Sequence, residues 1–485
     1  MANKPQAAGS VDIGPIMLKA SPEAGGEELD ITSLVGDIVI LESIHTNYMT
    51  MELAIGDSAN LLGKLPVVGG ELITVHLTSN HLNKTSSSDV IHQTFVIDTI
   101  GDRTYKDDRE SFYNITCITP EGYKNNTTVI NQRFEGPPRD IFEELYERFI
   151  KDGKVISSKG GRYANIEGPE LQFLDISSQT FKKDNHCFIA NYWTPYKCMN
   201  YLTDKVAPAP ASGKELMPNV KYFQSDKGHY LCSLSKLVAF YKERKAIYDE
   251  FFLLPSADEN FMMNEKRATI SGYNFITPFI SKKFNKMNSL EIPFYTHDIK
   301  DQASGFQGNM TVGFDMTTRL PYHMEFDYTP KQPERRLQNI RTMPLGYEDF
   351  FHIEDTTTMR QRALSEPRSA LNVQIGSSQI WTDNNFGHDW RFFVDTALRD
   401  TATEELKRLE VAIEVPGRTD VDLGMLVYLN IPNTGEKTGN DTAETLFDAR
   451  MSGIYIITGI RHGISTADSN HKMRLTCVRD SVGRD

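Results

Sequence analysis

Two stretches of this chain, 360 positions apart, read as the same pair of β-strands. FVIDTIGD from Phe95 lies against YIITGIRH from Tyr455, and FYNITCIT from Phe112 lies against KMRLTCVR from Lys472. Ile115, Thr116 and Cys117 fall opposite Leu475, Thr476 and Cys477, so the in/out alternation keeps register as well as order. Upstream, MELAIGD from Met51 resembles LEVAIEVPG from Leu409, and VVGGELITVHL from Val67 resembles DVDLGMLVYLNI from Asp420. There the offset is slightly smaller, because NTGEKTGNDTAETLFDAR is longer than its counterpart LTSNHLNKTSSSDVIH, and polar loops tolerate such insertions. Four strand-like elements recurring in one order exceed what alternation alone produces. They predict two copies of one small β-barrel, near residues 28–125 and 395–485.

The second copy closes with a hairpin. Gly453 to Ile460 is rich in β-branched residues, and Lys472 to Arg479 alternates, with Met473, Leu475 and Cys477 on one face and Lys472, Arg474 and Thr476 on the other. GISTADSN between them reads as a loop, since its residues make turns or bond their own backbone.

Between the copies the pattern changes. GPPRDIFEELYERFI carries Ile141, Leu145 and Phe149 at helical spacing, with Asp140 as a candidate cap and Arg148 in the last turn. FIANYWTPYKCMNYLTDKVA predicts a turn entering a second helix near Pro195. VKYFQSDKGHYLCSLSKLV predicts a hairpin about Asp226-Lys227-Gly228 that leads into a helix. Residues 251–377 give only mixed strands and polar loops, and WRFFVDTALRDTATEELKRLE has helical periodicity feeding the second copy.

Composition narrows the function classes. Hydrophobic residues at 39% suffice for proper cores, no apolar run approaches the roughly 18 residues of a membrane span, and the N-terminus lacks the apolar core of a signal peptide. The chain therefore reads as made in a cytoplasm, its first residues as a flexible or draped arm. Five cysteines, without a CxxC, read as reduced and mostly buried. A net charge of −13 disfavours polyanion binding and fits either an ordinary acidic soluble protein or a surface past which DNA slides without sticking.

No constellation names a reaction. The phosphate-loop, dinucleotide, zinc-protease and serine-hydrolase motifs are all missing. His462 and His471 come closest to a metal pair but read as exposed loop histidines. Glu143 with Glu144, and Glu404 with Glu405, are adjacent on predicted helices, read as solvated surface rather than a glycosidase pair. Trp193 beside its Pro turn reads as a core anchor. The sequence thus assigns no catalytic, cofactor-binding or metal residue, and no cofactor.

The succession of pieces resembles the central baseplate hub proteins of contractile-tailed bacteriophages, relatives of late control D proteins and of the hub portion of type VI secretion spike proteins. EVPGRTDVDLGMLVYLNIP, GIYIITGIRHGIS and MRLTCVRD look like that family's final barrel, YFQSDKGHYLCSLSKL like its aromatic hairpin, and GPPRDIFEELYERF like its first helix. The resemblance covers most of the chain in order and leaves out residues 255–375 and the N-terminal arm. It implies a mainly β fold with an α+β insert: two tube-like β-barrel domains joined by a mixed α/β middle region. The corresponding division is an arm (1–27), a first barrel (28–130), an α+β hub domain (131–255), a mixed, irregular connection (256–390) and a second barrel (391–485).

It also implies a non-enzymatic virion protein. Three copies, two barrels each, form a pseudo-sixfold ring joining a hexameric tail tube to a trimeric central spike, beside other baseplate proteins, and DNA passes through the channel without specific binding. Assembly takes place in the bacterial host's cytoplasm. The rival readings are a hub that also degrades cell wall and a stand-alone carbohydrate-active β protein.

Overall fold

A computed structural model of the chain describes residues 8–20, 28–64, 67, 69–79, 90–106, 110–151, 169–173, 186–206, 219–234, 249–252, 287–294, 308–315, 319, 321–327, 371–376, 399, 409–431, 448 and 451–479. Most of these residues are β-strand, with a small helical insert, as the sequence predicts. The N-terminal segment supplies β1 (Val11–Ile13), β2 (Met17–Lys19) and β3 (Glu28–Asp30). A first lobe follows: β4 (Val35–Ser43), β5 (Thr50–Asp57), the short helix α1 (Leu61–Lys64), β6 (Leu72–Ser79), β7 (Val90–Tyr105) and β8 (Ser111–Ile118). Its ladder runs β4-β5-β8-β7-β6, with β1 and β2 both on β6. Within this N-terminal segment Val11, Ile16 and Leu18 are buried in the first lobe's core.

The insert begins with α2 (Pro120–Thr127), β9 (Ile130–Gly136), α3 (Pro138–Tyr146) and β10 (Leu171–Phe173). It continues with β11 (His186–Trp193), α4 (Pro195–Thr203), β12 (Val220–Ser225) and β13 (Gly228–Ser233). The predicted stripe Ile141, Leu145 and Phe149 is buried in a core of its own with Phe134 and Phe188. Asp140 lies in the first turn of α3 and is not its cap, because Pro137 and Pro138 set the start of the helix one turn earlier. The insert is tied to the first lobe by polar contacts: the Gln224 side-chain oxygen accepts from Thr119 Oγ1 at 2.8 Å, and Asn47 Nδ2 donates to the Tyr222 carbonyl at 2.9 Å. The helix expected after β13 lies outside the described residues beyond Leu234.

The rest of the chain contributes β14 (Asp249–Phe252), β15 (Ser289–Phe294) and a three-stranded sheet of β16 (Gly308–Asp315), β17 (Pro321–Asp327) and β18 (Leu371–Gly376). The second lobe is β19 (Leu409–Pro416), β20 (Leu426–Asn430), β21 (Gly453–Ser465) and β22 (Asn470–Arg479), flanked by β15 on β19 and β14 on β20. Nearly all of the helix expected from Trp390, with the polar segment 433–450, falls outside the described residues.

The internal repeat is structural. Cys117 faces Met51 and Ile97, and Cys477 faces Val411 and Ile457. Both long strands bulge by one residue at the same position, at Asp98 between Ile97 and Thr99 and at Thr458 between Ile457 and Gly459, and β7 has a second bulge between Gly101 and Thr104 that β21 lacks. Just ahead of β6 and β20, Gly70 (φ +84°) and Gly424 (φ +79°) occupy the left-handed region and donate to the Ile97 and Ile457 carbonyls at 2.7 and 2.8 Å. β15 completes the match: Leu290 faces Ile413 as Ile38 faces Leu53.

Ladder register places Met51 with Val411 and Leu53 with Ile413, again 360 apart, two residues from the sequence match of β5 with β19. A two-residue slip keeps every side chain on its face, so alternation cannot detect it. In the sequence match of β6 with β20 the slip is one residue, since Leu72 faces Val96 as Leu426 faces Ile456.

The lobes join through one ladder. Beyond its bulge β21 leaves β20 and pairs antiparallel with β4, from Gly459 opposite Ser43 to Ser465 opposite Asp37. This corrects the loop expected over residues 463–470: the strands extend through Ser465 and from Asn470, because β4 offers Gly463 to Ser465 a ladder that local sequence does not reveal. Ile464, though part of β21, is buried in the first lobe's core.

Replacing Gly424 with Ala places a Cβ in left-handed backbone and is expected to cost about 1 kcal/mol, whereas Gly463→Ala, at extended backbone, is neutral within about 0.5 kcal/mol. Urea unfolding of both variants measures the difference, and equal midpoints would contradict the assigned turn.

Candidate functional site

The candidate site is the seam between the lobes, together with two strand edges that are its counterparts in the repeat and have no described strand against them. Residues 459–465 of β21 cover β4, whereas the equivalent end of β7, Thr99 to Tyr105, pairs among the described residues with β8 alone. β15, the counterpart of β4, pairs with β19 on one side and with no described strand on the other. Tyr105 faces Ser111 as Ile464 faces His471, so Tyr105 stands where Ile464 stands in the repeat. Ile464 is 2% exposed and Tyr105 is 69% exposed. Exposed Phe112 and the Lys106–Glu110 ion pair at 2.9 Å complete this hairpin tip. Bare edges of this kind template pairing with another strand.

The inner face of the seam is polar. Glu42 on β4 and His462 on β21 are 3% and 2% exposed, with His462 Nε2 at 3.4 Å from Glu42 Oε1. His462 Nδ1 shares a hydrogen bond with Nε2 of His471, itself 1% exposed, at 2.9 Å. The two histidines are therefore a buried pair and not exposed loop residues, because the extended hairpin turns both rings inward beneath Gly9 and Ser10, where His471 N donates to the Gly9 carbonyl at 2.6 Å. Asp226, in the β12–β13 turn, donates its backbone N–H to Glu42 Oε2 at 3.3 Å. Asp422, in the loop before β20, accepts from Leu423 N at 2.8 Å and is held by the Ser225 hydroxyl. Burial raises all three carboxyl groups, Glu42 to about 8, and in Glu42 the neighbouring Asp422 charge adds to it. Neither Asp226 nor Asp422 carried a sequence signal as a site residue. Each sits in an ordinary polar turn, and only the fold brings it to β4.

The remaining sequence candidates stay apart from the seam. Glu143 and Glu144 bind Arg139 at 2.9 Å and Arg148 at 3.1 Å on the surface of α3, the solvated arrangement expected. Glu404 and Glu405 lie outside the described residues. The cysteines are free, with Cys117, Cys198, Cys232 and Cys477 buried and Cys187 part-buried. Trp193 packs its ring on Phe188 and Tyr201 against the insert's core.

Stability should peak near neutrality. Glu42 is raised above its ordinary carboxylate value, so its contribution is full below about pH 4.5 and is lost as pH rises through about 8. Burial lowers His462 and His186 to about 4, and burial with the Lys124 charge lowers His229 to about 3; their contributions hold above about pH 6.5 and fall as pH drops toward those values. Glu42→Gln is expected to flatten the alkaline limb of urea midpoint against pH and to leave the acid limb in place. An alkaline slope unchanged from wild type would show that Glu42 does not govern it.

No protein-family model matches the chain, and no curated protein matches it. Among solved structures it is similar to a tail protein from Neisseria meningitidis, with 10% identity over 96% of both chains and a TM-score of 0.45. It is similar also to a 43 kDa prophage tail protein from Shewanella oneidensis, with 10% identity over 97% of this chain and 100% of that one, at 0.48. A third likeness is to an Escherichia coli type VI secretion component, itself described as similar to bacteriophage tail proteins, with 8% identity over 92% of this chain and 73% of that one, at 0.37.

Proposed function

We propose that this chain is a structural hub of a contractile tail, whose copies join edge to edge into a ring of six lobes from three chains. What supports the reading is the seam and its bare counterpart. Lobe two already extends a strand onto lobe one within the chain, and lobe one carries the equivalent strand end while lobe two carries the equivalent edge. Repeating that contact between copies sets Tyr105 of one copy opposite Leu290 of the next, and Thr104 opposite Glu291, with the Tyr105 ring entering the second lobe's core as Ile464 enters the first. A head-to-tail contact of this kind closes into a ring or runs on as a filament. The threefold closure, the tail tube on one side, the central spike on the other and the other baseplate proteins follow from the family resemblance, as do the virion location and assembly in the host cytoplasm. In this reading residues 28–130 and 391–485 are the two tube-like domains, with β15 recruited to the second from the connection at 256–390.

The sheet face away from the cores would line the channel. It presents Asp37, Glu52, Glu291, Glu410 and Glu414 against Arg461, Lys472 and Arg474. Arg474 pairs with Glu291 at 2.6 Å and Lys472 lies 3.8 Å from Glu414, so the basic groups are largely compensated and the surplus is acidic. Such a wall repels phosphates and offers DNA no bound state to escape from.

Light scattering of the full chain, alone and mixed with the products of its neighbouring genes, tests the ring. Three chain masses are expected, alone or in the mixture. Tyr105→Asp, an exposed change that leaves the monomer folded, raises the dissociation constant at least about tenfold, roughly 1.4 kcal/mol. A monomer that recruits no neighbour would overturn the reading in favour of the stand-alone carbohydrate-active protein. A trimer indifferent to Tyr105→Asp would overturn the edge pairing.

A further inference from the structure

We propose that Glu42, Asp226 and Asp422 form a binding site for a hard divalent cation, Ca2+ or Mg2+, at the point where the two lobes and the insert meet. The three carboxylates come from separate parts of the fold: β4 in the first lobe, the β12–β13 turn in the insert, and the loop before β20 in the second lobe. One oxygen from each lies within 4.8 Å of the others. That is about two Ca–O bonds of roughly 2.3–2.6 Å laid end to end, so small side-chain adjustments bring all three onto one ion.

A second observation points to an absent partner. Glu42 is buried, and while its Oε2 accepts from the Asp226 N–H, its Oε1 accepts no hydrogen bond. His462 Nε2 lies 3.4 Å from that oxygen, a further ligand atom at the rim of the cluster. A buried carboxylate oxygen left this way costs free energy that a cation would recover. Charge leads to the same conclusion. Three carboxylate oxygens brought within 4.8 Å of one another repel when ionised, and a divalent ion between them would offset that repulsion. The carboxylate oxygens favour hard cations over thiophilic metals. A bound ion would tie the insert and the loop before β20 to β4, adding to the β21–β4 ladder that already joins the lobes there.

The test uses the full chain, stripped with a chelator and titrated calorimetrically with CaCl2 and, separately, MgCl2. Saturable binding of one ion per chain is expected, with a higher unfolding temperature in the cation than in EDTA. The tighter of the two titrations identifies the ion. Asp422→Asn should weaken binding at least about tenfold, while Asp37→Asn, on the opposite face of β4, leaves it unchanged. Absence of saturable heat with both salts, together with equal unfolding temperatures in cation and EDTA, would overturn the site. That comparison needs no variant, so it decides the matter even if Asp422→Asn fails to fold.

Discussion

The structure depends on a single ladder, the pairing of β21 with β4. A strand that outruns its own sheet leaves backbone donors and acceptors on one side that must find partners, and here the neighbouring lobe supplies them from Gly459 to Ser465. This ladder makes one continuous sheet of two similar lobes. It also sets the hairpin length, turns His462 and His471 inward, and carries Ile464 into the other lobe's core. A related geometry exists a second time in β7 and β15, with one extra residue between Gly101 and Thr104 and with no partner strand among the described residues. The proposed assembly supplies that partner.

The seam sits between two apolar cores yet is itself polar. Ile460 belongs to one core and Ile464 to the other, and between them on the same face lies His462, in contact with Glu42. Buried carboxylates and neutral histidines are poor sources of net stability but strong sources of geometric specificity, since their donors and acceptors tolerate few arrangements. An apolar seam would allow the lobes to slide by two residues without penalty to the pattern. The Glu42–His462–His471 series, with Asp226 and Asp422 closing in from the insert and the second lobe, forbids that slip.

Much of this was legible in the chain. The Cys117 and Cys477 strands, the hairpin about Asp226 and Lys227, and the helices at Ile141 and Pro195 follow from local periodicity and turn chemistry, which act over a few residues. The two-residue displacement of β5 against β19 was not legible, because a period of two is blind to it. The strand character of Gly463 to Ser465 was hidden by turn-forming residues that a neighbouring strand overrides. Asp226 and Asp422 gave no sign of belonging together, being 196 positions apart in separate polar turns.

By itself, then, the sequence determined the repeat, the mainly β class and the local elements, since alternation, turn residues and helical spacing are properties of neighbours along the chain. The tertiary structure alone decided the register between lobes, the burial of the histidine pair and the convergence of three carboxylates. Those features are set by which backbone groups find partners across hundreds of residues, and no local pattern encodes that choice.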